Sequence, residues 1–220
     1  DLDDTLHALI VTGERIELAP NLARMRDCEA AVEQLQFQIG ALRYGVARLR
    51  PHLHQLAERA NHAFGALYDM LLRPLEARLG ERRLVVVPHR ALHYVPFGAL
   101  YDGASHLIDR REVCSVPSAG VLQHCLGLPR RQLNYAVICG VPDARTPQMQ
   151  GELLAVAEQF AERTVLVGAQ ATVAELQAVA GRADVLHLAC HGHFRPDNPL
   201  FSALELADGQ LTVRDAYELS

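Results

Sequence analysis

Asp184-Val-Leu-His-Leu-Ala-Cys-His-Gly-His193 is the stretch on which the reading of this chain turns. An apolar run of strand length, Val185 to Cys190, ends abruptly in His191-Gly192 and a polar loop with Pro196, Asp197, Asn198 and Pro199. The loop at the C-terminal end of a core strand is exposed, yet held rigid by the strand behind it. α/β proteins place their chemistry there.

Working outward, the same half of the chain repeats the strand-then-helix rhythm. Leu84-Val-Val-Val-Pro88 has the continuous β-branched pattern of a strand buried on both faces. His89 to Leu100 reads as a loop or short helical turn with apolar anchors, and Leu107 to Val116 as a strand. Pro117-Ser118 opens a short helix, Tyr135 to Cys139 is a second buried strand, and Thr164 to Val167 is a third. Between them a helix carries Leu153, Leu154, Ala157, Phe160 and Ala161 on one side. Thr172-Val-Ala-Glu175 has capping-box spacing and starts another helix, with Leu176 and Val179 inward. Downstream, Ser202 to Leu206, the Asp208-Gly209 turn and Leu211 to Val213 form a hairpin, and Arg214 begins a helix. Alternating helices and buried strands predict an α/β domain over residues 81–220, with a mostly parallel sheet covered on both faces.

The first 80 residues differ. Ile10 to Leu18 suggests a small hairpin or a lead-in. From Leu22 to Leu49 apolar residues recur every three or four positions. Pro51 stops that pattern, and a second one runs from Leu53 through Leu71 and Pro74 to Gly80. Residues 1–80 are therefore expected to form a long helical hairpin, its stripe belonging to the core.

Composition removes several function classes. All 21 basic residues are Arg, which excludes P-loop and Schiff-base chemistry within these residues. There is no GxG and no GxSxG. A net charge of -5 gives no electrostatic reason to expect nucleic acid or an anionic membrane as partner. Five cysteines without CxxC spacing suit reduced thiols in the cytoplasm. No run reaches membrane-span length, and a start at Asp1 without Met suggests a piece of a longer protein.

Strand geometry sorts the candidates in the opening stretch. His187 and His191 share a face but lie roughly 13 Å apart, too far for one metal. A site of His191, His193 and Asp197 is the remaining metal arrangement; it is disfavoured, and neither metal nor cofactor is expected. Cys190 and His191 point to opposite faces and cannot form a nucleophile–base pair. Cys190 is read as a packed thiol and His187 as a half-buried, hydrogen-bonded strand residue. His191 can act as base toward a thiol from a neighbouring strand, and Gly192 lets its N–H approach a substrate carbonyl without a Cβ in the way.

Several ordered motifs add a resemblance. HLACHGHF (187–194), PLFSALEL (199–206) and DGQLTVRDAYEL (208–219) resemble the CHAT domain, as do LVVVPHRALHYVPFGAL (84–100) and LYDMLLRPLEARLG (67–80). CHAT domains are relatives of caspases and separases, often attached to tetratricopeptide repeats. The resemblance spans roughly residues 50–220. It implies a caspase-like three-layer α/β/α sandwich acting as a cysteine endopeptidase on a protein or peptide substrate. His191 matches the catalytic His, and Gly192 the residue whose N–H contributes to the oxyanion hole. The family's nucleophile lies in a Ser-Ala-Cys type motif on the next core strand, after the helix near Arg214. None of Cys28, Cys114, Cys125, Cys139 and Cys190 matches that position. The chain as it stands is therefore expected not to cleave by this mechanism, and to self-associate through an uncovered sheet edge. The rival expectation is a catalytically silent caspase-like module that passes signals from attached repeats. A metal-dependent hydrolase ranks third.

Overall fold

The computed structural model describes residues 4–41, 50–129, 132–195 and 197–219. The chain divides into two compact units, 1–128 and 129–220. The fold is α/β, with parallel pairing in both units.

In unit 129–220 the three buried runs become β5 (Tyr135–Gly140), β6 (Glu162–Val167) and β7 (Val185–Ala189), all parallel, in the order β6-β5-β7. Strand parity sends β5 side chains alternately to two clusters. Ala136 and Ile138 pack with Leu153 and Ala157 of the helix Met149–Ala157. Val137 and Cys139 pack with Leu166, with Leu176 and Ala180 of the helix Val173–Ala180, and with Leu206 and Leu211 of the hairpin. That hairpin is β9 (Ala203–Glu205) and β10 (Gln210–Thr212), and a further strand, β8 (Gly192–His193), joins it antiparallel in the order β10-β9-β8. The Asp208 carboxylate accepts from Val173 N at 2.9 Å and Thr172 Oγ1 accepts from Glu175 N at 3.1 Å. The hairpin and the capping residue thus share the free N–H groups of one helix start. On the helix Met149–Ala157, Leu154 is exposed and does not join Leu153 in the core. Adjacent helical positions diverge by about 100°.

Unit 1–128 opens with an antiparallel pair, β1 (Thr5–Val11) and β2 (Ile16–Arg24), so the hairpin alternative holds. Leu22 belongs to β2, and helix α1 begins only at Met25, ending at Ala41. The helix start is set from afar: Asp4 accepts from Met25 N through its carbonyl at 2.7 Å and from Arg26 N through Oδ1 at 3.3 Å. Leu42, Val46 and Leu49 lie outside the described residues. After a 3-10 turn at Arg50–His52, α2 runs from Leu53 to Leu71. A 3-10 turn at Pro74 follows, then α3 (Glu76–Leu79), which stops at Gly80 with φ +58°. Cys28, Val32 and Leu35 of α1 pack with Ala63, Leu67, Tyr68 and Leu71 of α2. The same cluster takes in Leu92, Val95, Phe97 and Leu100 from the turns of 90–100.

Two strand expectations need correction. Leu84–Val86 (β3) is not buried on both faces, because Leu84 and Val86 face the cluster while Val85 and Val87 are exposed. Residues 107–116 are not one strand. Leu107–Arg110 is a helical turn, α4, at whose start Asp109 Oδ2 accepts from His106 N at 3.0 Å, and only Val113–Ser115 (β4) pairs, parallel to β3. The expected short helix is α5 (Ala119–Gly127), with Ser118 Oγ accepting from Val121 N at 3.2 Å. The helices Met149–Ala157, Val173–Ala180 and Val213–Ala216 are α6, α7 and α8. No helix among the described residues is long and apolar enough to cross a membrane.

Candidate active site

Two loops leave the C-terminal ends of neighbouring parallel strands. Gly140 of β5 stands opposite Ala189 of β7, and Val141 N donates to Ala189 O at 3.0 Å. A Cβ on Gly140 would lie 2.6 Å from Leu153 Cδ1 and 2.8 Å from Ala189 O, so only glycine allows helix, strand and neighbour to meet here. Asp143 and His191 follow these strand ends at once, and the pairing brings them together. His191 Nε2 is 3.0 Å from Asp143 Oδ2, and the two side chains are about one-third exposed, 33% and 30%.

Asp143 is held before it meets the imidazole. Its Oδ1 accepts from Arg145 N at 2.8 Å, Thr146 N at 3.0 Å and Thr146 Oγ1 at 2.9 Å, and its Oδ2 accepts from Arg145 Nε at 3.0 Å. Burial alone would push the Asp143 carboxyl up. Hydrogen bonds from Thr146, Arg145 and His191 outweigh it and hold the group well below the usual carboxylate range. Asp143 is therefore an ionised acceptor at neutral pH. Local sequence pattern does not single Asp143 out.

Next to His191, Glu205 N donates to His191 O at 2.8 Å. With Gly192 opposite Leu204, that bond makes the Gly192–Leu204 pair a non-hydrogen-bonded one, so the Gly192 N–H points away from β9, off the edge of the sheet. A Cβ at Gly192 would meet only Leu204 Cδ2, at 3.6 Å, an ordinary contact, so packing does not demand glycine. Beside it lies an open, mainly apolar groove of about 440 Å³, lined by Gly192, Phe194, Leu204, Leu211 and Ala216 among others.

The remaining candidates fall away from this point. Cys190 joins the α7-side cluster, opposite the α6 side where His187 and Ala189 lie, and burial followed by the nearby Glu205 pushes its thiol up. Cys139, in the same cluster, is pushed up to about 11, mainly by burial. His193 Nε2 takes a different carboxylate, Glu205 Oε2 at 3.2 Å, while Asp197 is bidentate to Arg195. His191, His193 and Asp197 thus do not converge, and no group of three or more metal-binding side chains occurs among the described residues. The expectation for His187 needs amending. Its Nε2 lies 3.1 Å from Glu152 Oε1, a charge contact that does not meet hydrogen-bond geometry, so this buried atom makes no hydrogen bond among the described residues.

The family profile of the CHAT domain matches residues 62–220. The chain belongs to the CHAT domain family. No match was found among the curated proteins. Within the CHAT domain the match takes in α2 from His62 onward, all of β3 to β10, and the His191–Asp143 pair.

Proposed function

We propose that this CHAT domain carries the histidine half of a cysteine endopeptidase site, with His191 as general base and acid. A thiol on a strand along the free edge of β7 would attack the peptide carbonyl. His191 takes the thiol proton, and the thiolate sulfur bonds to the carbonyl carbon. The Gly192 N–H then helps hold the oxyanion, and His191 returns the proton to the leaving amine. Water then attacks the acyl carbon as His191 takes its proton; the C–S bond breaks, the carboxylic acid leaves, and His191 returns the proton to the thiolate. The observation that carries this reading is the His191–Asp143 pair at the C-terminal end of β7, partly exposed beside the Gly192 N–H that points away from β9. It is supported by the β6-β5-β7 order, which leaves one edge of β7 unpaired among the described residues. The protein or peptide substrate, attached tetratricopeptide repeats and a cytoplasmic setting belong to the same proposal; five free cysteines agree with a reducing compartment. That unpaired edge also supports self-association when no further strand covers it.

The second reading, a silent signalling module, has one observation in its favour. Both thiols of unit 129–220, Cys139 and Cys190, are packed and resist ionisation. Peptide cleavage by the protein carrying the nucleophilic strand separates the two. Under the peptidase reading His191→Ala abolishes cleavage while circular dichroism stays unchanged. Retained cleavage in that variant refutes the role of His191, and no cleavage by the unsubstituted protein favours the silent module.

A further inference from the structure

We infer that Asp143 is the positioning residue of this site: it holds the His191 ring with its proton on Nε2, leaving Nδ1 as the nitrogen that takes the thiol proton. This rests on the reading of His191 as the base. An ionised carboxylate only accepts hydrogen bonds, so the 3.0 Å contact to Asp143 Oδ2 requires Nε2 to be the donor. The neutral ring then has one lone pair, at Nδ1. The carboxylate is itself immobilised. Its Oδ1 is fully engaged by Arg145 N, Thr146 N and Thr146 Oγ1 within its own turn. Only Oδ2 is left for the imidazole, shared with Arg145 Nε. The β5–β7 register sets the backbone positions of both strand ends, and the close Gly140–Leu153–Ala189 approach packs them tightly together. When the thiol gives up its proton the ring becomes an imidazolium. The negative charge on its far side stabilises that ion and fixes its orientation.

The sharpest test exploits the committed Oδ1. In Asp143→Asn the amide oxygen takes over the three turn bonds, which puts the NH₂ group against His191 Nε2. A donor facing Nε2 forces that nitrogen to accept, and the ring proton moves to Nδ1. Nitrogen-15 NMR of the imidazole in the 220-residue chain should report the Nε2–H tautomer in the unsubstituted protein and the Nδ1–H tautomer in Asp143→Asn. In Asp143→Ala the Nε2–H proton should exchange rapidly with solvent. In the protein carrying the nucleophilic strand, Asp143→Asn should lower kcat by about 10³–10⁴-fold with little change in KM. An Nδ1–H ring in the unsubstituted chain overturns the inference, as does a ring unaffected by either variant. If His191→Ala abolishes cleavage while both Asp143 variants keep ring and kcat unchanged, the positioning role fails and the base reading stands. Retained cleavage in His191→Ala overturns both.

Discussion

His191 and Gly192 stood out in the sequence because a His-Gly pair follows directly on an apolar strand. Asp143 did not, since it lies 48 residues away and only the parallel register of β5 with β7 brings the two together. The available signal was its place: a carboxylate three residues past the end of the neighbouring strand, with Thr146 spaced to close a side-chain turn. Two substitutions probe this end of the sheet. Gly192→Ala meets only an ordinary contact, so stability should change by less than about 0.5 kcal/mol while cleavage falls, because a Cβ would crowd the substrate. Equal losses of stability and cleavage would contradict that. Gly140→Ala should destabilise by about 1–3 kcal/mol in urea denaturation, since its Cβ would overlap Leu153 and the Ala189 carbonyl. An unchanged midpoint would show that the strands have slack.

Elements were most legible where a strand or helix signals its own ends. β5, β6, β7, the β9–β10 hairpin and the caps at Ser118 and Thr172 could be read from local pattern. The elements that escaped were set by distant partners: α1, whose start Asp4 fixes, and β8, which exists only because β9 folds back on it. One hexapeptide shows the limit of local reading. Phe-Gly-Ala-Leu-Tyr-Asp occurs at 64–69 and again at 97–102. The first copy is interior to α2, whereas the second, after Pro96, makes a 3-10 turn that ends in an extended Leu100 and a bridge from Tyr101 to His106. The buried face decides between them: Leu67 and Tyr68 fill the cluster from one copy, Phe97 and Leu100 from the other. Coupling between elements is testable at Asp208, which joins the hairpin turn to the start of α7. Asp208→Ala should cost about 0.5–2 kcal/mol, read from the denaturation midpoint. A loss near zero would mean that Thr172 alone caps the helix.

At the scale of the whole molecule, acid and thiol chemistry report on both units. The carboxyls of Asp102, Asp143 and Asp215 are all held below their ordinary range. Ser105 and Ala104 N–H groups do this for Asp102, and Thr212 does it for Asp215. At Asp143, bonds from Thr146, Arg145 and His191 overcome burial. A folded-state pKa below the unfolded value of about 4 means stability that is present above that pH and lost as pH falls through the folded values. The urea midpoint should therefore drop steadily below about pH 4, and less steeply in Asp143→Asn; a flat profile would contradict the hydrogen-bond assignments. Among the thiols, Cys114 and Cys125 are exposed, while Cys28 and Cys139 are buried. Alkylation of the native chain should modify Cys114 and Cys125 first, and early loss of Cys139 would speak against the packing of β5. The central claim is that His191 activates a thiol, and the pH dependence of alkylation of that thiol, in the protein carrying the nucleophilic strand, tests it without knowledge of the substrate. Pairing with His191 should give a reactive thiolate well below pH 8, and His191→Ala should move the profile up to an ordinary thiol near 8.5. An identical profile in the two proteins would contradict it.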